Sequence, residues 1–183
     1  LVKEAGVYNR ANTPNTTLFY ASTLPNVAVR EIHPATGKRI ILSTWVNKSV
    51  DSLNAFPLCL TAGIINEYAD ANNYAFEIMT EKYHPVYSEW MECFFTFFSS
   101  EFIKETEPVN PKRYDYLFSA YFADRILQQY DEKWGVKSFD CIVYPSVAGN
   151  HRYDNLAIIP EALYQHFALS EAKEYEVLDT WYD

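Results

Sequence analysis

Glycine is scarce, with five residues in a chain of 183. They build no G-x-G-x-x-G turn, no G-x-x-x-x-G-K-[ST] loop and no G-x-S-x-G elbow. A Rossmann phosphate turn, a P-loop and a hydrolase nucleophile elbow are therefore excluded. Cysteine is nearly as rare. Cys59, Cys93 and Cys141 are odd in number and lack C-x-x-C spacing, which predicts reduced core thiols of a cytosolic protein and neither a disulfide frame nor a zinc site. His33, His84, His151 and His166 have no metal-ligand spacing with Cys, Asp or Glu, so no metal centre is expected. Basic residues are few, 15 Lys and Arg against 24 Asp and Glu for a net charge of −9. That balance argues against binding a nucleic-acid backbone, while leaving room for an anionic small molecule held by one or two cations. No apolar run is long enough to predict a membrane span. The chain opens on Leu1 with neither Met nor a signal-like segment, and residues preceding Leu1 are expected in the native protein.

Aromatic residues are abundant at 17%, including fifteen Tyr and twelve Phe, within an overall hydrophobic share of 49%. This length and composition predict one α+β domain over residues 1–183, with an aromatic-rich core or interface. Residues 1–17 read as a loop and 18–21 as a short strand. Ser22 or Thr23 is placed to cap a following helix, with Pro25 in its first turn and Pro34 and Gly37 ending it. Val27, Ala28 and Ile32 make its inner face, which sets Glu31 beside that face near the last turn. Residues 38–47 read as a strand. The 59–83 stretch is ambiguous, with a helix at 62–70 and a strand at 74–79 as candidates. Across 86–103, Val86, Trp90, Phe94, Phe95, Phe98 and Phe102 recur at helical spacing, the mark of an aromatic-faced helix serving as core, dimer seam or partner surface. A Pro-containing connector at 105–111 precedes a second helix at 114–130, with Leu117, Phe118, Tyr121, Phe122, Arg125 and Ile126 at helical spacing and Gly135 as its stop. Short strands at 139–144 and 156–159 flank a polar loop, and a last helix at 161–167 leads to an acidic tail. No internal repeat or linker interrupts the chain.

Four side chains stand out as candidates. Arg10 lies in a polar loop, where a guanidinium fork can grip phosphate in two places. Tyr20 ends the first strand and is placed to stack on an aromatic ligand. Glu31 sits near a helix C-terminus, where the macrodipole disfavours its charge. Ser146 follows Pro145 at a strand end, where its hydroxyl would project into a crevice. Each alone also has a plain reading: a solvated arginine, a half-buried tyrosine, a water-facing carboxylate, a punctuating serine. Cys59 with a histidine would imitate a thiol nucleophile, but its neighbours are too apolar to lower a thiol pKa.

The ordered set says more than its members. Arg10, then Leu18-Phe19-Tyr20-Ala21, then Glu31, then Phe139-Asp140-Cys141-Ile142-Val143-Tyr144-Pro145-Ser146, then Asn155-Leu156-Ala157 resemble the pattern of the RES domain, a bacterial family named for its Arg, Glu and Ser. Asn9 and Cys141 stand where that family usually has glycine. Residues 62–113 read as a divergent, largely helical insert. The resemblance implies an ADP-ribosyltransferase-like split β-sheet with NAD, as substrate and not as prosthetic group, lying across its cleft. It further implies Arg10 on the diphosphate or nicotinamide-side ribose, Tyr20 stacked on nicotinamide, Glu31 on the ribose hydroxyls, and Ser146 with Asn155 orienting the nicotinamide end. No metal is implied. Breaking the N-glycosidic bond passes through an oxocarbenium-like cation, which a carboxylate stabilises.

The activity so implied is NAD degradation by a glycohydrolase or phosphorylase, in a cytoplasmic toxin held by a helix-turn-helix antitoxin of the Xre type, with a homodimer also conceivable. Protein ADP-ribosylation in the same cleft is the alternative. A non-catalytic module, in which Arg10 and Glu31 simply pair, is the second.

Overall fold

The computed structural model describes residues 6–58, 85–105, 114–128, 130–131 and 136–179. Their elements, in chain order, are β1 (Phe19–Ser22), α1 (Pro25–Glu31), β2 (Arg39–Asn47), β3 (Ala55–Pro57), α2 (Pro85–Phe102), α3 (Leu117–Leu127), β4 (Tyr130–Asp131), β5 (Val136–Lys137), β6 (Cys141–Pro145), β7 (Asp154–Ile158), α4 (Pro160–His166) and β8 (Phe167–Glu176). The architecture is α+β, as the composition and pattern predict. The helix expected at 62–70, the strand at 74–79, Gly135 and all but the first residue of the 105–111 connector lie outside the described residues, as does Cys59. Of the 62–113 insert, residues 85–105 are described, α2 among them.

The main sheet joins the two ends of the chain in the order β1-β7-β6-β3. β7 pairs antiparallel with both β1 and β6, and β3 adds in parallel to the far side of β6. β6 is an apolar run, Cys-Ile-Val-Tyr-Pro, buried at four of its five positions as befits a strand covered on both faces. Helices α2 and α3 pack on each other and on β6. From α2 come Phe95, Phe98 and Phe102, each at most 3% exposed. Burying each is worth about 1.5–3 kcal/mol.

Several expectations are corrected. Neither Ser22 nor Thr23 caps α1: the N-cap is Leu24, and Pro25 in the first turn supplies the helix start. The Ser22 hydroxyl instead donates to Asn155 Oδ1, and that of Thr23 to the Asp154 carbonyl at 3.3 Å. Ile32 is not on the inner face, because the helix ends at Glu31 and Ile32 becomes its exposed C-cap. The second helix is shorter than 114–130 at both ends. Its buried positions are Ser119, Ala120, Ala123 and Leu127, while Phe118 and Tyr121 are more than half exposed. Small side chains let the backbone lie close to the sheet and leave Phe118 and Tyr121 outside, while Phe122 packs on Phe98 of the core. The polar loop between the last two core strands is shorter than expected, since pairing runs to Pro145↔Asp154.

The acidic tail is corrected most. Residues 167–176 form β8, which pairs antiparallel with β2 along nine registered residues in a separate two-stranded ribbon, with a bulge between Thr44 and Trp45. Cys93 is exposed and so is not a core thiol. Cys141 is one, and burial, with the nearby Asp140 charge adding to it, pushes its thiol up to about 12.

Candidate active site

Glu31 ends α1, the end at which the helix dipole opposes a negative charge by about 0.3–1 kcal/mol. Two short hydrogen bonds outweigh that cost. Ser146 Oγ donates to Glu31 Oε1 at 2.6 Å, and Asn155 Nδ2 donates to the same oxygen at 2.7 Å. Hydrogen bonds to a charged group contribute about 1.5–3 kcal/mol each. The donors arrive from neighbouring strands: Asn155 lies in β7 opposite Tyr144, and Ser146 follows β6 directly. Three of the residues singled out in the sequence, separated by 115 and 124 positions, thus meet on one carboxylate oxygen.

The backbone after β6 explains how Ser146 is held. Its N–H donates to the Tyr153 carbonyl at 2.7 Å, and its carbonyl accepts from His151 N–H at 2.8 Å. Asn150 and His151 take left-handed conformations, φ 52° and 59°, to close the turn. Ser146 is therefore fully buried, and the expectation that its hydroxyl projects into the crevice is corrected. Its hydroxyl reaches the site through Glu31.

A cavity of about 440 Å³ opens beside these groups, walled by Arg10, Tyr20, Glu31, Tyr116, Tyr144 and Asn155 among others. Arg10 is part of the same wall. Its Nη1 donates to the carbonyls of Phe102, at the end of α2, and of Lys104 at 3.2 Å. Carbonyls at a helix C-terminus carry partial negative charge and suit a cation. Its guanidinium also lies over the Tyr116 ring, 5.0 Å from the centroid, with Nη2 3.5 Å from the phenolic oxygen. Arg10 and Glu31 have separate partners, so the notion that they merely pair with each other is corrected.

Tyr20 fixes the arginine's loop. Its hydroxyl donates to Asn12 Oδ1 at 2.7 Å and accepts from the Ala11 N–H at 3.0 Å, which ties the residues after Arg10 to β1. The hydroxyl end is enclosed while 39% of the residue remains accessible. That enclosure raises its pKa well above the ordinary phenol value, the burial outweighing the two bonds and the Arg10 charge. Tyr144 is buried in the same wall, within reach of the charges of both Arg10 and Glu31. Its phenol is also raised, by burial first and then by Tyr20. Both stay protonated and neutral at physiological pH.

Tyr116, Tyr144 and Ser22 were not picked out from the sequence as site residues. Tyr144 stood inside the quoted Phe139–Ser146 segment, two residues before the serine, and that adjacency was a usable signal. Nothing local marks Tyr116, because its relation to Arg10 spans 106 positions. A second cavity of about 520 Å³, between α1, β1 and the ribbon, is larger. Its wall includes Phe19, Ile41, Trp45 and Phe167 and holds no charged residue, so chemistry is assigned to the smaller one. Among the described residues no group of three His, Cys, Asp or Glu side chains is placed to hold a metal. No helix among them is long and apolar enough to cross a membrane.

The arrangement sets a charged acceptor, a cation and three tyrosines in the wall of one cavity. A family model described as RES domain matches residues 3–178. No curated protein and no solved structure matches the chain.

Proposed function

Because the chain belongs to the RES domain family, we propose that it cleaves the bond between nicotinamide and ribose in NAD. Membership carries an NAD-related, toxin-like function at the level of the family. The finer reading rests on one observation: Glu31, anchored through a single oxygen by Ser146 and Asn155, lines the same cavity as Arg10.

Arg10 binds the diphosphate of NAD, its guanidinium held in place by the backbone carbonyls on Nη1 and the Tyr116 hydroxyl beside Nη2. Tyr20 offers a ring face to the nicotinamide. Glu31 accepts hydrogen bonds from the ribose hydroxyls through its other carboxylate oxygen. As the C1′–N bond breaks, its electron pair goes to the nicotinamide nitrogen and neutralises the pyridinium charge. The positive charge left on the ribose is stabilised by the fixed carboxylate, a preorganised interaction that needs no reorientation in the transition state. Asn155 and Ser146 hold that carboxylate, a role in place of direct contact with nicotinamide for the buried serine. Water then adds at C1′ and releases a proton, giving ADP-ribose, or phosphate adds and gives the 1-phosphate.

We propose that this activity works in the cytoplasm, where such an enzyme requires restraint in its own cell. A helix-turn-helix antitoxin of the Xre type covering the cavity is the restraint we propose. The test is chromatography of NAD incubated with purified protein, with and without phosphate. Release of free nicotinamide supports the reading. Intact NAD with a folded, antitoxin-free protein overturns it, and ADP-ribose found only on protein moves the reaction to a side-chain acceptor.

A further inference from the structure

The two donors on Glu31 are themselves held from behind. Ser22, the last residue of β1, lies opposite Asn155 in the β1–β7 register and donates its hydroxyl proton to Asn155 Oδ1. A primary amide has one accepting end and one donating end. Committing Oδ1 to Ser22 turns Nδ2 towards the carboxylate. Rotated by half a turn, the same amide would set its oxygen against Glu31, a repulsive contact.

The serine side is built alike. Gly149 N–H donates to Ser146 Oγ at 3.0 Å, which occupies a lone pair and leaves the hydroxyl proton for Glu31. Gly149 leaves only tight room for a side chain. A Cβ there would stand 3.0 Å from Tyr153 Cδ2, 3.2 Å from Ser146 Oγ and 3.3 Å from Ser146 Cβ. Tyr153 is drawn tight in turn, since its carbonyl accepts from Ser146 N–H.

We infer that Ser22 and Gly149 are positioning residues for the Glu31 carboxylate, acting through Asn155 and Ser146. The relay runs from Gly149 N–H to Ser146 to Glu31 on one side, and from Ser22 to Asn155 to Glu31 on the other. It fixes the rotamer of the carboxylate and the polarity of both donors at Oε1. Oε2 is left for the substrate. Linked hydrogen bonds of this kind polarise one another, and a supporting shell of this kind holds a catalytic group within a fraction of an ångström.

The inference rests on the NAD-cleaving reading for its catalytic consequence but not for its geometry, so two readouts separate them. In NAD cleavage, Ser22→Ala and Gly149→Ala lower kcat at least tenfold and leave KM within twofold. Ser22→Thr, which keeps the hydroxyl, recovers most of the rate. In thermal unfolding, Ser22→Ala lowers Tm in the parent but leaves it nearly unchanged in an Asn155→Ala background, because its partner is already gone. Unchanged kcat in Ser22→Ala, or a rise in KM alone, overturns the positioning role. Equal Tm losses in the two backgrounds overturn the relay itself. If the parent leaves NAD intact, the proposed function fails and the unfolding cycle still decides the relay.

Discussion

Replacing Ser146 by alanine removes one oxygen and two interactions. Glu31 loses a donor at 2.6 Å, and buried Gly149 N–H loses its acceptor at 3.0 Å. The first loss is worth about 1.5–3 kcal/mol and the second, an orphaned buried N–H, about 1–3 kcal/mol. With partial relaxation of the turn, a destabilisation of about 3 kcal/mol is expected. A chain of this size loses about 2–4 °C in Tm per kcal/mol, so Tm falls by about 6–12 °C. Glu31 retains only Asn155 on Oε1 and samples other rotamers, so kcat falls about tenfold or more, a barrier change of about 1.4 kcal/mol or above. Scanning fluorimetry reads the first effect. Nicotinamide release, measured below the variant's own Tm, reads the second. A variant whose Tm stays within about 1 °C of the parent and whose kcat is unchanged would refute the account of how the carboxylate is held.

Other predictions follow from the same geometry. Tyr116→Ala removes the ring under the Arg10 guanidinium, and a cation–π contact worth about 0.5–2 kcal/mol then raises KM for NAD roughly two- to thirtyfold. Tyr116→Phe keeps the ring and shows a smaller rise in the same assay. Of the two described cysteines, iodoacetamide at mildly alkaline pH labels exposed Cys93 and spares Cys141 in the folded chain, as peptide mass spectrometry will read. Stability also has an alkaline edge. The Cys141 pKa is raised from 9.0 to about 12 in the folded state, so its stabilising contribution is complete below pH 9 and is lost as pH climbs towards 12, at about 1.4 kcal/mol per unit. Urea midpoints for Cys141→Ala should fall less steeply than the parent's across that window.

Much of the main sheet was legible because its signals are local. β1 and β6 are short apolar or aromatic runs between turn residues, α1 is opened by a proline, and the aromatic repeat of α2 has helical spacing. The misses have physical causes. β8 is an exposed ribbon strand, and its Glu and Lys side chains read as a solvated tail because no buried face imposes alternation on it. β3 is three residues long and ends in proline, too short to carry a pattern. The helical spacing noted for α3 left its inward face open: Ser119, Ala120, Ala123 and Leu127 are buried, and Phe122 and Ile126 pack against the core. In the site, residue types and order pointed to Arg10, Tyr20, Glu31, Ser146 and Asn155. Partners supplied by the backbone, such as the Phe102 and Lys104 carbonyls on Arg10, are invisible to any reading of side-chain types. Ser22 was visible but assigned to a helix cap, a role its strand register with Asn155 overrides.

The central claim is that a fixed Glu31 carboxylate stabilises the cation formed when NAD loses nicotinamide. Its most direct test is single-turnover release of nicotinamide from NAD by the parent and by Glu31→Gln, which keeps size and one acceptor oxygen for Ser146 and Asn155 but removes the charge. The account predicts release by the parent and a fall of at least a hundredfold in the variant, about 2.7 kcal/mol of transition-state stabilisation, with NAD still bound. Equal rates in the two proteins would contradict it.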